Sequence, residues 1–147
     1  MSLKDKLQED WIIALKSKNR FKANVITMAK AAVLHAEKID GSKLDDEAII
    51  TIIAREVKQR KEAIIEFQKG NRQDLVDQNN NEIEILHEYL PMQLTSIEVS
   101  EIIKNAVIET GATSAKEMGK VMSAIMPKVK GRADGKLVSD LVKQILS

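Results

Sequence analysis

Apolar residues return every three or four positions along almost the whole chain, and no stretch alternates with the period of two that a half-buried strand needs. The pattern predicts an all-α protein. A first helix follows Ser2 as N-cap and turns Leu3, Leu7, Trp11 and Ala14 or Leu15 to one face. A second, from about Asn19 to Ile39, carries Phe21, Val25, Met28, Ala32 and Ile39 at matching intervals and stops at Gly41. A third runs from about Asp45 to Lys69 with Ile49, Ile53, Val57, Ile64 and Phe67 inward and Gly70 as its stop. Its far half alternates in charge, with Glu56 and Arg60, and Lys58 and Glu62, spaced to pair on a solvated helix face. The fourth, Asn71 to Leu90, contains Asn79, Asn80 and Asn81, weak helix formers that leave open whether it is one helix or two.

Pro91 pushes Leu90 out of the helical region, and Thr95 with Glu98 has capping-box spacing for a new start. A boundary is expected there, giving a multihelical N-terminal domain over residues 1–92 and a small three-helix C-terminal domain over residues 93–147. The three helices run from Ser96 to Thr110, from Ser114 with Glu117 completing a second capping box, and from Asp134 to Leu146. Pro127 either ends the middle one at Met126 or lets it continue, kinked, to Lys130. Ile102, Ala106 and Val107, then Met118, Val121, Met122 and Ile125, then Leu137, Leu141 and Ile145 are the faces expected to pack together.

Composition narrows the function classes. A chain of 147 residues buries roughly 70% of its unfolded surface and folds unaided. It has no cysteine, hence no disulfide, thiolate nucleophile or thiolate metal ligand. The longest apolar run, Ala48 to Ala54, is far short of a membrane span, and charges break every candidate leader segment at the start. A cytoplasmic location and no membrane partner are the expectation. The formal net charge of +1 points to no polyanion as a whole-chain partner, so any such partner must meet a local patch.

Catalytic chemistry is poorly provided for. Two histidines, His35 and His87, stand on different predicted helices, and no nucleophile elbow or phosphate-cradling glycine loop is present. Glu84 and His87 make one Glu-x-x-His pair, where a carboxylate-bridged metal bundle needs two. No catalytic residue, metal or cofactor is therefore assigned. Met118, Met122 and Met126 fall at helical spacing and read as core. The stretch from Lys116 to Lys136 differs: it holds six cations, Lys116, Lys120, Lys128, Lys130, Arg132 and Lys136, against Glu117 and Asp134. Gly131 and Gly135 bracket Arg132, and a helix N-terminus follows. Such a stretch reads either as a solvated turn or as a grip on phosphates.

Three segments, "EVKQRKEAIIEFQKGNRQDLVDQ", "EYLPMQLT" and "GATSAKEMGKVMSAIMPKVKGRADGKLVSDLVKQIL", resemble the bacterial YqeY proteins, and the likeness covers essentially the whole chain. That family shares its fold with the tail of GatB, the B subunit of the glutamine-dependent tRNA amidotransferase. The resemblance implies a larger helical domain followed by a small one, and a tail that holds the body of tRNA without performing chemistry. Carried onto this sequence, the motif comprises Met118, Gly119, Lys120, Val121 and Met122, then Lys128, Lys130, Gly131, Arg132, Ala133, Asp134, Gly135 and Lys136. Its cations are the implied RNA contacts, with Gly119, Val121 and Met122 serving close helix packing. The domains that supply ATP, glutamine and transamidation chemistry are missing from this sequence. The reading that follows is a free-standing module binding tRNA or another structured RNA. Its rivals are a protein-interaction module that docks on an amidotransferase or an aminoacyl-tRNA synthetase, and an accessory subunit in carbon–nitrogen ligation with glutamine as amido donor.

Overall fold

The computed structural model describes residues 2–147 and is helical throughout: α1 (Leu3–Lys16), α2 (Arg20–Asp40), α3 (Asp46–Lys69), α4 (Gln73–His87), α5 (Ser96–Thr110), a single 3-10 turn (Ala115–Glu117), α6 (Met118–Val129) and α7 (Gly135–Leu146). Two compact units divide the chain, one ending at Leu90 and the other spanning Pro91–Ser147.

Helix starts follow the caps. Ser2 accepts from the Asp5 amide and Asp5 reaches back to Ser2, a complete capping box; Thr95 and Glu98 make another. Asn19, Asp45 and Asp134 cap α2, α3 and α7 through their side chains. At Ser114 the expected box does not form: the hydroxyl makes no capping bond, and a 3-10 turn leads into α6 instead. Gly41 and Gly111 end their helices in the left-handed region, whereas Gly70 stays at φ −89° and Asn71 takes the left-handed turn at φ 56°. The asparagines do not break α4, where Asn79 Nδ2 donates to the Leu75 carbonyl at 2.8 Å. Pro127 lies inside α6; it and Ser123, whose carbonyl it deprives of a helical donor, are both exposed residues.

The first unit is built around Leu7, Val25, Ile26, Ala29, Val33, Ile49, Ile53, Val57, Ile83, Leu86 and Tyr89. On α2 the buried row is rotated from the one the periodicity suggests: Val25, Ile26, Ala29 and Val33 face inward, and Phe21, Met28 and Ile39 are exposed. The helix carries two apolar stripes, and the one rich in small residues allows the closer approach. Leu15 is likewise exposed beside buried Ala14. Polar groups complete this core. The Tyr89 hydroxyl donates to Asp10 at 2.6 Å, and burial with that bond holds the phenol protonated far above its usual range. Arg60 is not part of a solvated face: its side chain is 11% exposed, with Nη1 3.5 Å from Glu56 and Nε 3.8 Å from Glu82. His87 is half-buried and its Nε2 has no hydrogen-bond partner; burial, then the charge on Lys61, pushes its pKa below the ordinary value.

The second unit closes around Val99, Ile103, Ala106, Val121, Ile125, Val129, Val138, Val142 and Leu146. On α7 the innermost row is Val138, Val142 and Leu146, with Leu141 and Ile145 beside it and Leu137 exposed. The segment leading into this unit is tied to the α6–α7 turn. The Leu94 amide donates to the Arg132 carbonyl at 2.8 Å, and Gln93 Nε2 donates to the Gly131 carbonyl at 2.9 Å. In return Arg132 donates from Nε to the Met92 carbonyl at 3.1 Å and from Nη1 to the Lys128 carbonyl at 3.3 Å. Gly131, at φ 74°, makes the reversal that brings these groups into register.

The depressed His87 pKa means that the unfolded chain takes up its proton first, so stability falls as pH drops below about 6.5, the unperturbed value, and keeps falling until the folded pKa is passed. In His87→Gln this component of the loss between neutral and mildly acidic pH disappears, read as urea midpoints; an unchanged pH profile contradicts the assignment. For Arg132→Ala, two carbonyl contacts are lost at a cost of about 1–2 kcal/mol, and hydrogen exchange at the Leu94 amide accelerates. Unaltered Leu94 protection would show that the guanidinium does not hold the segment.

Candidate nucleic-acid interface

Val121, Ile125 and Val129 recur every four residues and are buried, with Met118, Met122 and Ala124 packed beside them, so the face of α6 that carries Gly119, Lys120, Ser123, Pro127 and Lys128 is left to solvent. Lys120 and Lys128 lie about 80° apart around the helix and roughly 12 Å apart along it, at 100° and 1.5 Å per residue. Both are exposed, as are Lys116 in the 3-10 turn, Lys130 after the helix and Lys136 in the first turn of α7. These cations thus form two groups, Lys116 with Lys120 at the start of α6 and Lys128, Lys130 and Lys136 around the α6–α7 turn.

For Lys116, Lys120, Lys128 and Lys136, little neutralises the charge. Lys116, Lys128 and Lys136 form no ion pair among the described residues, and the Lys120 contact to Glu117 is long, 3.9 Å, with the ammonium side chain 68% exposed. Such a pair contributes almost nothing in water. Arg132 behaves differently from its five companions: it is half-buried, and its guanidinium serves the Met92 and Lys128 carbonyls. With Gly131 it positions the turn. Met92, Gln93 and Leu94 stand in the segment "EYLPMQLT" that carries part of the resemblance, but their pairing with this turn gave no signal, because bonds to backbone carbonyls across nearly forty residues leave no pattern of side-chain types.

Gly119 corrects the packing expectation. A Cβ placed there meets nothing within 4 Å, and the same is true at Gly135; neither adopts a positive φ. Neither position needs glycine for packing or for backbone conformation. Both sit in the first turn of a helix, Gly119 in α6 and Gly135 in α7, where the helix carries partial positive charge; the 3-10 turn already gives the Met118 amide a partner in the Ala115 carbonyl, and the Asp134 side chain accepts from the Lys136 amide. Each leaves bare backbone beside an exposed lysine, Lys120 and Lys136. An acid–base or nucleophilic constellation is not assembled around them, and among the described residues no group of three or more His, Asp or Glu side chains is gathered to hold a metal ion.

A family model described as Yqey-like protein matches residues 4–146. The chain is 31% identical, over 96% of its length and 79% of the relative's, to "Altered inheritance of mitochondria protein 41, mitochondrial" of Pyrenophora tritici-repentis. An uncharacterized protein of Schizosaccharomyces pombe is 25% identical over 57% of the chain and 68% of its own length. A glutamyl-tRNA(Gln) amidotransferase polypeptide of Saccharolobus solfataricus is 30% identical over 73% of the chain, and the match spans only 17% of that larger protein. The Pyrenophora tritici-repentis relative carries a mitochondrial name, in contrast to the cytoplasmic location expected from the sequence; among the described residues no helix is long and apolar enough to cross a membrane. With the family model covering nearly every residue and a relative above 30% identity matched along most of both chains, this chain belongs to the YqeY-like family, which is related to the tail of the GatB and GatE amidotransferase proteins.

Proposed function

We propose that the chain is a free-standing RNA-binding module, with tRNA as its ligand, that grips phosphates through Lys116, Lys120, Lys128, Lys130 and Lys136 and contributes no bond chemistry of its own. The observation that carries this reading is the pairing of exposed lysines with two glycines that neither packing nor backbone geometry requires. A glycine in the first turn of a helix costs stability relative to alanine, so its presence at an open position is accounted for by close approach of a ligand to the backbone. Phosphate oxygens suit such a place, approaching bare backbone at the positive end of a helix while ammonium groups beside it neutralise the charge. Arg132 and Gly131 are positioning residues in this scheme. The Saccharolobus solfataricus relative is named for tRNA chemistry and matches 73% of this chain with a small part of its own, which fits a module that holds RNA for catalytic domains located elsewhere. The compartment is one that holds tRNA, the cytoplasm on the sequence reading.

Lysine contacts to phosphate carry no base information, so binding is expected across tRNA species and falls with salt. With about four phosphates neutralised, log K against log salt has a slope of about −3. Replacing Lys116, Lys120, Lys128 and Lys136 together by Ala is expected to lower affinity at low salt more than tenfold and flatten that slope. Gly119→Ala and Gly135→Ala should fold at least as stably as the parent, by up to roughly 1 kcal/mol, yet bind tRNA more weakly. Filter binding or fluorescence anisotropy reads both. Absence of tRNA binding at low salt, or equal binding by the lysine variant, overturns the proposal; protein partners that survive nuclease treatment in its place would favour a protein-docking module.

A further inference from the structure

The whole-chain charge near zero conceals a second, stronger asymmetry. Between Asp10 and Glu37 there is no acidic residue, while Lys16, Lys18, Arg20, Lys22 and Lys30 all fall there. Four of these stand within seven residues, at the turn that joins α1 to α2. Every residue from Leu15 to Phe21 is exposed. Lys22 is engaged by Glu88 at 3.3 Å and Lys30 lies over the Trp11 ring, so Lys16, Lys18 and Arg20 are the cations the tip presents. Lys18 holds a left-handed conformation at φ 60°, where glycine or asparagine is the usual occupant, and is exposed in the turn between the two helices.

Around these cations the surface is apolar. Ile13 is 57% exposed, Leu15 49%, Phe21 40% and Ile12 38%. At 100° per residue, Ile12, Ile13 and Leu15 spread over about 160° of the circumference of α1, with only Ala14 turned inward. A protein groove accepts one stripe of side chains at helical spacing; Ile12 and Leu15 share such a stripe, but Ile13 stands about 100° from one and 160° from the other and falls outside it. Nor do three aliphatic side chains offer an RNA backbone anything to bond. A hydrocarbon layer, by contrast, accepts apolar groups on all sides of a tip, while lysines and arginines beside them reach lipid phosphates.

We propose that the α1–α2 turn is a peripheral membrane-docking site, seating Ile12, Ile13, Leu15 and Phe21 at the acyl boundary of an anionic bilayer with Lys16, Lys18 and Arg20 on its phosphates. The site belongs to the first unit, shares no residue with the lysine face of the second, and revises the expectation that no membrane is a partner. Docking of this kind needs no spanning helix, only apolar insertion reinforced by charge.

Flotation of the full chain with phosphatidylglycerol vesicles and with phosphatidylcholine vesicles tests it. Binding is expected to the anionic vesicles and to be weak on the neutral ones. Replacing Lys16, Lys18 and Arg20 by Ala should lower partitioning about a hundredfold, at roughly fivefold per cation. Ile13→Ser with Leu15→Ser should also release the protein; both residues are exposed, and an unchanged thermal unfolding midpoint confirms that the fold is intact. In Phe21→Trp, emission should shift to the blue on phosphatidylglycerol against a constant Trp11 background. The alanine variant of Lys116, Lys120, Lys128 and Lys136 should float as the parent does. Failure to bind anionic vesicles overturns the proposal, as does binding indifferent to the Ile13 and Leu15 changes, which would mean adsorption by charge alone. Loss of tRNA affinity in the tip variants without any vesicle binding would assign the tip to RNA and equally overturn it.

Discussion

Helices of twelve to fifteen residues do not persist alone in water, and the second unit is made of three of them with no disulfide to help. Its existence depends on mutual burial of Val99, Ile103, Val121, Ile125, Val138 and Val142, each essentially removed from solvent. Truncating one such side chain to alanine costs about 2–5 kcal/mol for a leucine or isoleucine, against a total stability of about 5–15 kcal/mol for a typical domain. The same burial fixes the rotation of α6. Once Val121, Ile125 and Val129 are inside, Lys120 and Lys128 have nowhere to go but out. Presentation of charge is thus a consequence of core packing.

A second constraint sets the turn at the far end of α6. The planar guanidinium of Arg132 reaches two carbonyls on different segments, Met92 and Lys128, a bridge that a lysine ammonium on its flexible stem does not reproduce. The Arg132 and Gly131 carbonyls accept from Leu94 and Gln93 in the same place. One motif therefore contains residues in two kinds of place: Arg132 and Gly131 hold the fold, while Lys128 and Lys136 beside them are exposed.

Local signals were the legible part of this fold. Capping residues such as Ser2, Asn19, Asp45, Thr95 and Asp134 and the stops at Gly41 and Gly111 act within a few residues of themselves, and the chain obeys them. Faces were less legible where a helix has two apolar stripes. Phe21, Met28 and Ile39 are larger than Ala29 and Val33, yet the smaller row packs inward because close approach of neighbouring helices decides the choice, and those neighbours are remote in sequence. Exposure of Lys120 followed from its place beside Val121; the diversion of Arg132 and the open space over Gly119 did not, since each depends on what lies across the unit. The charged tip between α1 and α2 is invisible in whole-chain totals, which average it against acids elsewhere.

Contact with RNA through bare backbone and flanking lysines has a direct signature. Titration of isotope-labelled full-length protein with tRNA at low salt, followed by amide chemical shifts, should move Gly119, Lys120, Gly135 and Lys136 first and furthest, with the buried amides of Ile53 and Leu86 unmoved. Shifts confined to the first unit, or spread evenly over both without a maximum at the two glycines, would contradict it.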